Sequence, residues 1–81
     1  MLIAYKKDFL KTISKIKDTV FKEKIKKQIE KIIENPAVGK PMRYERKDTR
    51  EVYVMHYRLA YSYDTIEDKL IFLEIYHKDE Q

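Results

Sequence analysis

The stretch Arg50–Asp64, reading R-E-V-Y-V-M-H-Y-R-L-A-Y-S-Y-D, constrains the fold more than any other part of the chain. It is dense in Val and Tyr, which suit a pleated, half-buried surface. A strand pair built from it has side chains pointing alternately to the two faces of a sheet. In the second strand, Leu59, Tyr61 and Tyr63 share one face and are bulky enough to be the core side. Arg58, Ala60 and Ser62 share the other. A long cation above two small residues has the outline of an anion-binding hollow. A solvated strand arginine has the same local pattern, so both readings stand at this level.

The flanking sequence completes a three-strand meander. Arg50–Val54 puts Val52 and Val54 on one face and Glu51 and Tyr53 on the other. A tight turn near Met55–His56 leads into Tyr57–Tyr63, and Asp64–Lys69 is a polar turn. Leu70–His77 is apolar on both sides except at Glu74, which predicts a central strand covered on both faces.

The first half of the chain is helical in period. Phe9, Leu10, Ile13 and Ile16 form one stripe, in a helix that ends near Lys17. Asp18 or Thr19 can cap the next helix, whose stripe is Phe21, Ile25, Ile29, Ile32 and Ile33. That helix ends at Asn35, because Pro36 disfavours a helical residue before it. The two form an αα-hairpin, and their stripes need a common apolar partner, which the sheet supplies. Leu2–Tyr5 is either a short strand added to the sheet or the frayed start of the first helix. Ile13, Ile25, Ile29, Ile32, Leu59 and Tyr61 are the expected core. The connector Ala37–Asp48 carries Gly39, Pro41 and four basic residues, Lys40, Arg43, Arg46 and Lys47, with Met42 and Tyr44 as candidate anchors. It reads equally as a solvated loop and as a basic rim for a phosphate backbone.

The expectation is therefore one α+β domain over residues 1–81. It has an N-terminal strand, a two-helix hairpin and an antiparallel three-strand meander. The sheet has about four strands, with the helices on one face.

Composition narrows the chemistry. Cysteine is absent, which removes disulfides and thiolate metal ligands. Two histidines, His56 and His77, are too few for a histidine-based zinc site without carboxylates, and no metal is expected. No apolar run is long enough for a membrane span and no secretory leader is visible, so a soluble, unexported protein is expected. The abundance of Lys and Glu with Gly 1 also resembles thermophile composition. The net charge is +4. Residues 1–35 carry +5 and residues 36–81 carry −1. The basic excess favours a polyanion or an acidic partner, although lysines at helical spacing also read as a plain solvated face.

No Gly-rich phosphate loop, H-E-x-x-H or spacing-based Ser-His-Asp set is present. Arg, Lys, Tyr and His are the available catalytic side chains, and they suit RNA cleavage without a metal. In that reaction a 2′-hydroxyl attacks the adjacent phosphate. A base takes its proton, a cation holds the charge that builds on phosphorus, and an acid protonates the leaving oxygen. Arginine's planar fork can hold two phosphate oxygens.

The order of short strand, helix hairpin ending E-N-P, basic connector and a strand pair carrying Y-R-L-A-Y at Tyr57–Tyr61 resembles the RelE/ParE superfamily of toxins. Tyr76-His77-Lys78-Asp79-Glu80 is similar to the start of that superfamily's H-[RK]-x-x-x-Y tail. The RelE branch looks nearer, through the Y-R-L-x-Y wording and the compact length. The resemblance implies the toxin half of a type II toxin–antitoxin pair, a cytoplasmic endoribonuclease that cuts translated mRNA in the ribosomal A site. No cofactor and no membrane are implied, and a RelB-like acidic antitoxin is the implied partner. A ParE-like gyrase inhibitor and a non-catalytic basic nucleic-acid-binding module are the alternatives.

By the same resemblance Arg58 is the arginine that engages the scissile phosphate. The two basic residues common on the preceding strand are replaced by Tyr53 and Glu51, with Arg50 one step further. His77 and Lys78 match the tail, Asp79 stands where an arginine is frequent, and the tail tyrosine would fall one residue past Gln81. Tyr53, His77 or Lys78 would take over its proton role. Lys40, Arg43, Arg46, Lys47 and Arg50 are the expected RNA contacts.

Overall fold

The computed structural model describes residues 1–42 and 48–80. In chain order the elements are β1 (Leu2–Tyr5), α1 (Lys7–Lys15), α2 (Thr19–Glu34), β2 (Lys40–Pro41), β3 (Thr49–Val54), β4 (Tyr57–Asp64) and β5 (Lys69–His77). A 3-10 turn, Lys78–Glu80, follows β5. The sheet order is β1-β5-β4-β3-β2, which makes five strands where about four were expected. The added strand is the two-residue β2, which pairs Lys40 with Glu51 and Pro41 with Arg50.

The helix boundaries follow from local chemistry. The Asp18 carboxylate accepts from the backbone N–H groups of Val20 at 2.9 Å and Phe21 at 3.2 Å, which caps α2. Asn35 ends α2, and its side chain accepts from the Ala37 N–H at 3.2 Å, so the chain turns out of the helix before β2. Because β1 and β2 lie at opposite edges, the helix hairpin crosses one face of the sheet from edge to edge. α1 packs over β5 and α2 over β3.

The core sits between that face and the helices. Phe9, Ile25, Ile32, Leu59, Tyr61, Leu70 and Phe72 are the largest fully buried side chains. Ile13 and Ile29 pack against this cluster partly exposed. Leu10, expected in the α1 stripe, is 52% exposed. It lies about 100° round the helix from buried Phe9, beyond the contact stripe.

Three details of the sheet differ from expectation. β1 pairs with β5 in parallel, so the sheet is mixed. The outer edge of β5 needs backbone partners, and β1 provides them in the direction in which the chain enters the hairpin. β5 is second from an edge and β4 is the middle strand. Helices cover β5 on one face only, and Ile71 and Leu73 are half-buried. Finally, Ala60 pairs with Glu74 while Tyr61 pairs with Phe72, which leaves Leu73 as an extra residue in a β-bulge. The bulge shifts the phase of β5, so Phe72 and then Ile75 both reach the core. Strict alternation would have sent one of them to the opposite face.

Gly39 and Tyr61 join the connector to the core. The Tyr61 hydroxyl accepts from the Gly39 N–H at 2.8 Å and donates to the Pro36 carbonyl at 2.7 Å. A Cβ on Gly39 would lie 2.5 Å from that hydroxyl oxygen, so only glycine permits the approach. Burial of the phenol raises the Tyr61 pKa above its ordinary value of 10.0.

Candidate functional site

The face of the sheet away from the helices is formed by every second residue of the meander. Register places Thr49, Glu51 and Tyr53 of β3 beside Ser62, Ala60 and Arg58 of β4. Beyond them lie Ile71, Glu74 and Tyr76 of β5. Arg58 therefore stands on the face opposite the core, as the alternation of β4 required.

Its surroundings are not the small-residue hollow expected. Ala60 is fully buried, between the register positions of Glu51 and Glu74. Arg58 donates through Nη1 to the Glu51 carboxylate at 3.2 Å. The second oxygen of Glu51 accepts from the Tyr76 hydroxyl at 2.8 Å. Glu51 is 9% exposed, so this carboxylate is built into the face and not a passing surface partner. Above the pair, the Arg58 guanidinium carbon lies 4.9 Å from the centre of the Tyr53 ring, within cation–π range. Tyr53 is 55% exposed, so its outer face is available to a ligand. Among the described residues no protein acceptor engages the rest of the Arg58 fork.

At the end of β4 nearest the Met55–His56 turn, a cavity of about 290 Å³ is lined by Tyr53, Met55, His56, Tyr57, Arg58 and Lys78. It brings together three residues singled out in the sequence, Tyr53, Arg58 and Lys78. It also brings in His56, which the motif comparison did not single out. The signal for His56 was its place in a tight turn next to Tyr57-Arg58. Met55 occupies the left-handed region at φ 57°, where a residue with a side chain is strained. The Lys78 N–H donates to the His56 carbonyl at 3.1 Å, which ties the 3-10 turn to this corner.

His77 is placed differently. Register pairs it with Tyr57, while Tyr76 is the residue opposite Arg58. Its ring stands edge-on to Tyr57 at 5.2 Å. Its Nδ1 accepts from the Asp79 N–H at 3.3 Å and lies 3.5 Å from the Asp79 carboxylate. The bulge sets this phase, so His77 shares a face with Ile75 and not with Arg58.

The expected RNA contacts divide in the same way. Lys40 is exposed and paired in register with Glu51, on the Arg58 side of the sheet. Arg50 is paired with Tyr61 on the helix side. Its Nη1 donates to the carbonyls of Gly39 at 2.7 Å and Ala37 at 3.3 Å, so it braces the connector. Arg43, Arg46 and Lys47 lie outside the described residues. Among the described residues no three His, Asp or Glu side chains converge on a common point as metal ligands do. None of the described helices is long and apolar enough to cross a membrane.

A guanidinium under an exposed aromatic ring, beside a lysine and an imidazole, can bind a phosphate and move a proton. Glu51 opposes that function by holding one nitrogen of the fork.

The fold is shared with solved toxins. The Escherichia coli RelE chain of the intact RelBE toxin–antitoxin complex superposes with a TM-score of 0.79 at 17% identity, over 94% of each chain. A YoeB/ParE toxin from Agrobacterium tumefaciens superposes at 0.82 and 14% identity, over 95% of this chain and 98% of that one. The archaeal RelE–RelB complex from Pyrococcus horikoshii OT3 gives 0.74 at 10% identity, over 99% and 97%. No curated protein matches the sequence. The family model described as the ParE toxin of type II toxin-antitoxin system, parDE, matches residues 3–81. With nearly the whole chain matched and the same fold observed, the protein belongs to this family of type II toxins, within the RelE/ParE superfamily.

Proposed function

We propose that this chain is a RelE-like mRNA interferase, cutting translated mRNA in the ribosomal A site without a metal. The observation that supports this reading is the cavity that places Arg58, Tyr53, His56 and Lys78 together. Arg58 holds the scissile phosphate and offsets the charge that develops on it. Tyr53 stacks on a neighbouring base and keeps the guanidinium in place. His56 or Lys78 moves the proton, to the leaving oxygen or from the 2′-hydroxyl. His77, turned toward Tyr57, positions the end of β5. Substrate phosphate competes with Glu51 for one nitrogen of the Arg58 fork, so the free chain holds its own phosphate site partly occupied. Lys40 supplies a backbone contact at the margin, and Arg43, Arg46 and Lys47 are further proposed RNA contacts.

An acidic, RelB-like antitoxin is the proposed partner, and the cytoplasm the proposed compartment. Solved relatives include RelE–RelB complexes, and a basic chain of pI about 9.2 suits an acidic mate. The second reading is inhibition of DNA gyrase. The ParE family match favours it, and so does the carboxylate on Arg58, which a protein–protein poison could keep at no cost.

Reporter mRNA on translating ribosomes and a gyrase supercoiling assay, run with the same purified chain, separate the two. Cuts within codons, absent in Arg58→Ala, support the interferase. Loss of supercoiling without cuts overturns it in favour of the gyrase reading.

A further inference from the structure

A second cleft adjoins the candidate site. It has a volume of about 210 Å³, and its walls include Lys24, Lys27, Gln28 and Lys31 of α2 together with Tyr53 and Met55. Tyr53 and Met55 also line the Arg58 cavity, so the two clefts are neighbours that share a wall at the end of β3. The Gln28 side chain donates to the Tyr53 carbonyl at 3.0 Å, which fixes the helix against the strand at the junction.

The lysines of this second cleft have a defined place on the helix. At about 100° per residue, Lys24, Lys27, Gln28 and Lys31 form a single stripe on one flank of the buried positions Phe21, Ile25 and Ile32. Lys22 and Lys26 fall on the other flank. Glu23, Glu30 and Glu34 lie further round, on the outer face. Lys24, Lys27 and Lys31 are exposed, and among the described residues none is held by a carboxylate. From Lys24 to Lys31 the stripe runs about 10 Å. A row of free cations ending at an exposed aromatic ring and an arginine matches the backbone and bases of a single strand. An acidic protein would match the lysines but would leave the ring above Arg58 without a role.

We infer that the Lys24–Lys27–Lys31 stripe of α2 is a binding site for the RNA backbone that flanks the phosphate held by Arg58. The strand passes over Tyr53 and continues along the helix. The inference rests on the interferase reading, and it adds a substrate-binding surface outside the motif-bearing strands.

The test uses the full-length chain and a fluorescein-labelled, fully 2′-O-methylated single-stranded RNA of twelve nucleotides, which cannot be cleaved. Binding is measured from 50 to 200 mM salt. The variants are Lys24→Gln/Lys27→Gln/Lys31→Gln and a charge-matched control, Lys11→Gln/Lys22→Gln/Lys26→Gln. Each phosphate contact on a single strand contributes roughly 0.7 to the slope of log K against log salt. The stripe variant is expected to lose about 2 from the slope. Across that salt range the parent then loses about 20-fold more affinity than the stripe variant does. The control keeps the parental slope.

Equal slopes for the stripe variant and the control overturn the inference, as does a parent chain that binds no RNA. So does a stripe variant that loses only the antitoxin, which would assign the surface to the protein partner. Ribosome-dependent cleavage by the parent tests the interferase reading separately, so either can fail alone. Circular dichroism of each variant shows that α2 persists.

Discussion

Glu51→Gln is the sharpest probe of the site. The carboxylate lies 3.2 Å from Arg58 Nη1, and the two side chains are 10% and 21% exposed. A charge-assisted hydrogen bond in such a place contributes about 1.5–3 kcal/mol, and phosphate must give that up when it takes the fork. Arg58 is a fifth exposed, so water screening argues for the lower end. About 1.5 kcal/mol corresponds to roughly ten-fold in phosphate affinity. The amide keeps an oxygen for the Tyr76 hydroxyl, and Arg58, a fifth exposed, can turn to water, so the loss of stability should stay at about the same 1.5 kcal/mol. Glu51→Gln is therefore expected to cut ribosome-bound reporter mRNA about ten-fold faster at low substrate, and to arrest growth at lower expression. The measurements are initial cleavage rates against ribosome concentration, with urea unfolding as the fold control. A folded variant that cuts no faster than the parent refutes the competition between Glu51 and phosphate. A variant slower by orders of magnitude would make the carboxylate the base.

Four further outcomes are expected. Arg58→Ala should slow cleavage by about 100- to 1,000-fold while the fold survives, and Arg58→Lys should recover only part of it, because a point charge does not replace the fork; parental cutting rates in a folded Arg58→Ala chain would exclude this arginine from the chemistry. Tyr61→Phe strands the buried Gly39 N–H and loosens the Pro36 carbonyl, and should cost about 2–3 kcal/mol, or roughly 10–20 °C in Tm for a chain of this size. Because burial raises the Tyr61 pKa, its contribution to stability is present below pH 10.0 and declines as pH rises through the folded value; urea titrations above pH 10.0 should show that decline in the parent and less of it in Tyr61→Phe. Saturating antitoxin at about 100 times its Kd should stabilise the chain by about 2.7 kcal/mol, and an unchanged melting temperature with a candidate acidic antitoxin would reject that pairing.

Much of the architecture follows from local rules that act within a few residues. The Asp18 cap, the stop at Asn35-Pro36 and the helical stripes place α2 without any knowledge of its partners. The Val/Tyr alternation of Tyr57–Tyr63 places Leu59 and Tyr61 inside and Arg58 outside, because side-chain direction in a strand is a matter of parity. The superfamily resemblance rested on the same stretches, and it extends over residues 3–81.

Other features depend on which strands meet. β2 is two residues long and exists only because the outer edge of β3 offers it partners. Arg50 and Arg58 were alike in the sequence. One is turned to the connector carbonyls and the other to Glu51, because eight positions and one turn put them on opposite faces. The bulge at Leu73 moved His77 to the Tyr57 side, and no residue near it announces a bulge. His56 entered the cavity because the turn that carries it folds back beside Lys78. The lysines of α2 read as a solvated face in the sequence, and the tertiary structure sets them beside the end of β3 at Tyr53–Met55. The sequence by itself determined the elements, their caps and the inward or outward sense of each side chain, since these are set by neighbours along the chain. Only the tertiary structure decided the bulge, the charge partner of Arg58 and the company of His56 and the α2 lysines, since these are set by register between segments far apart in sequence.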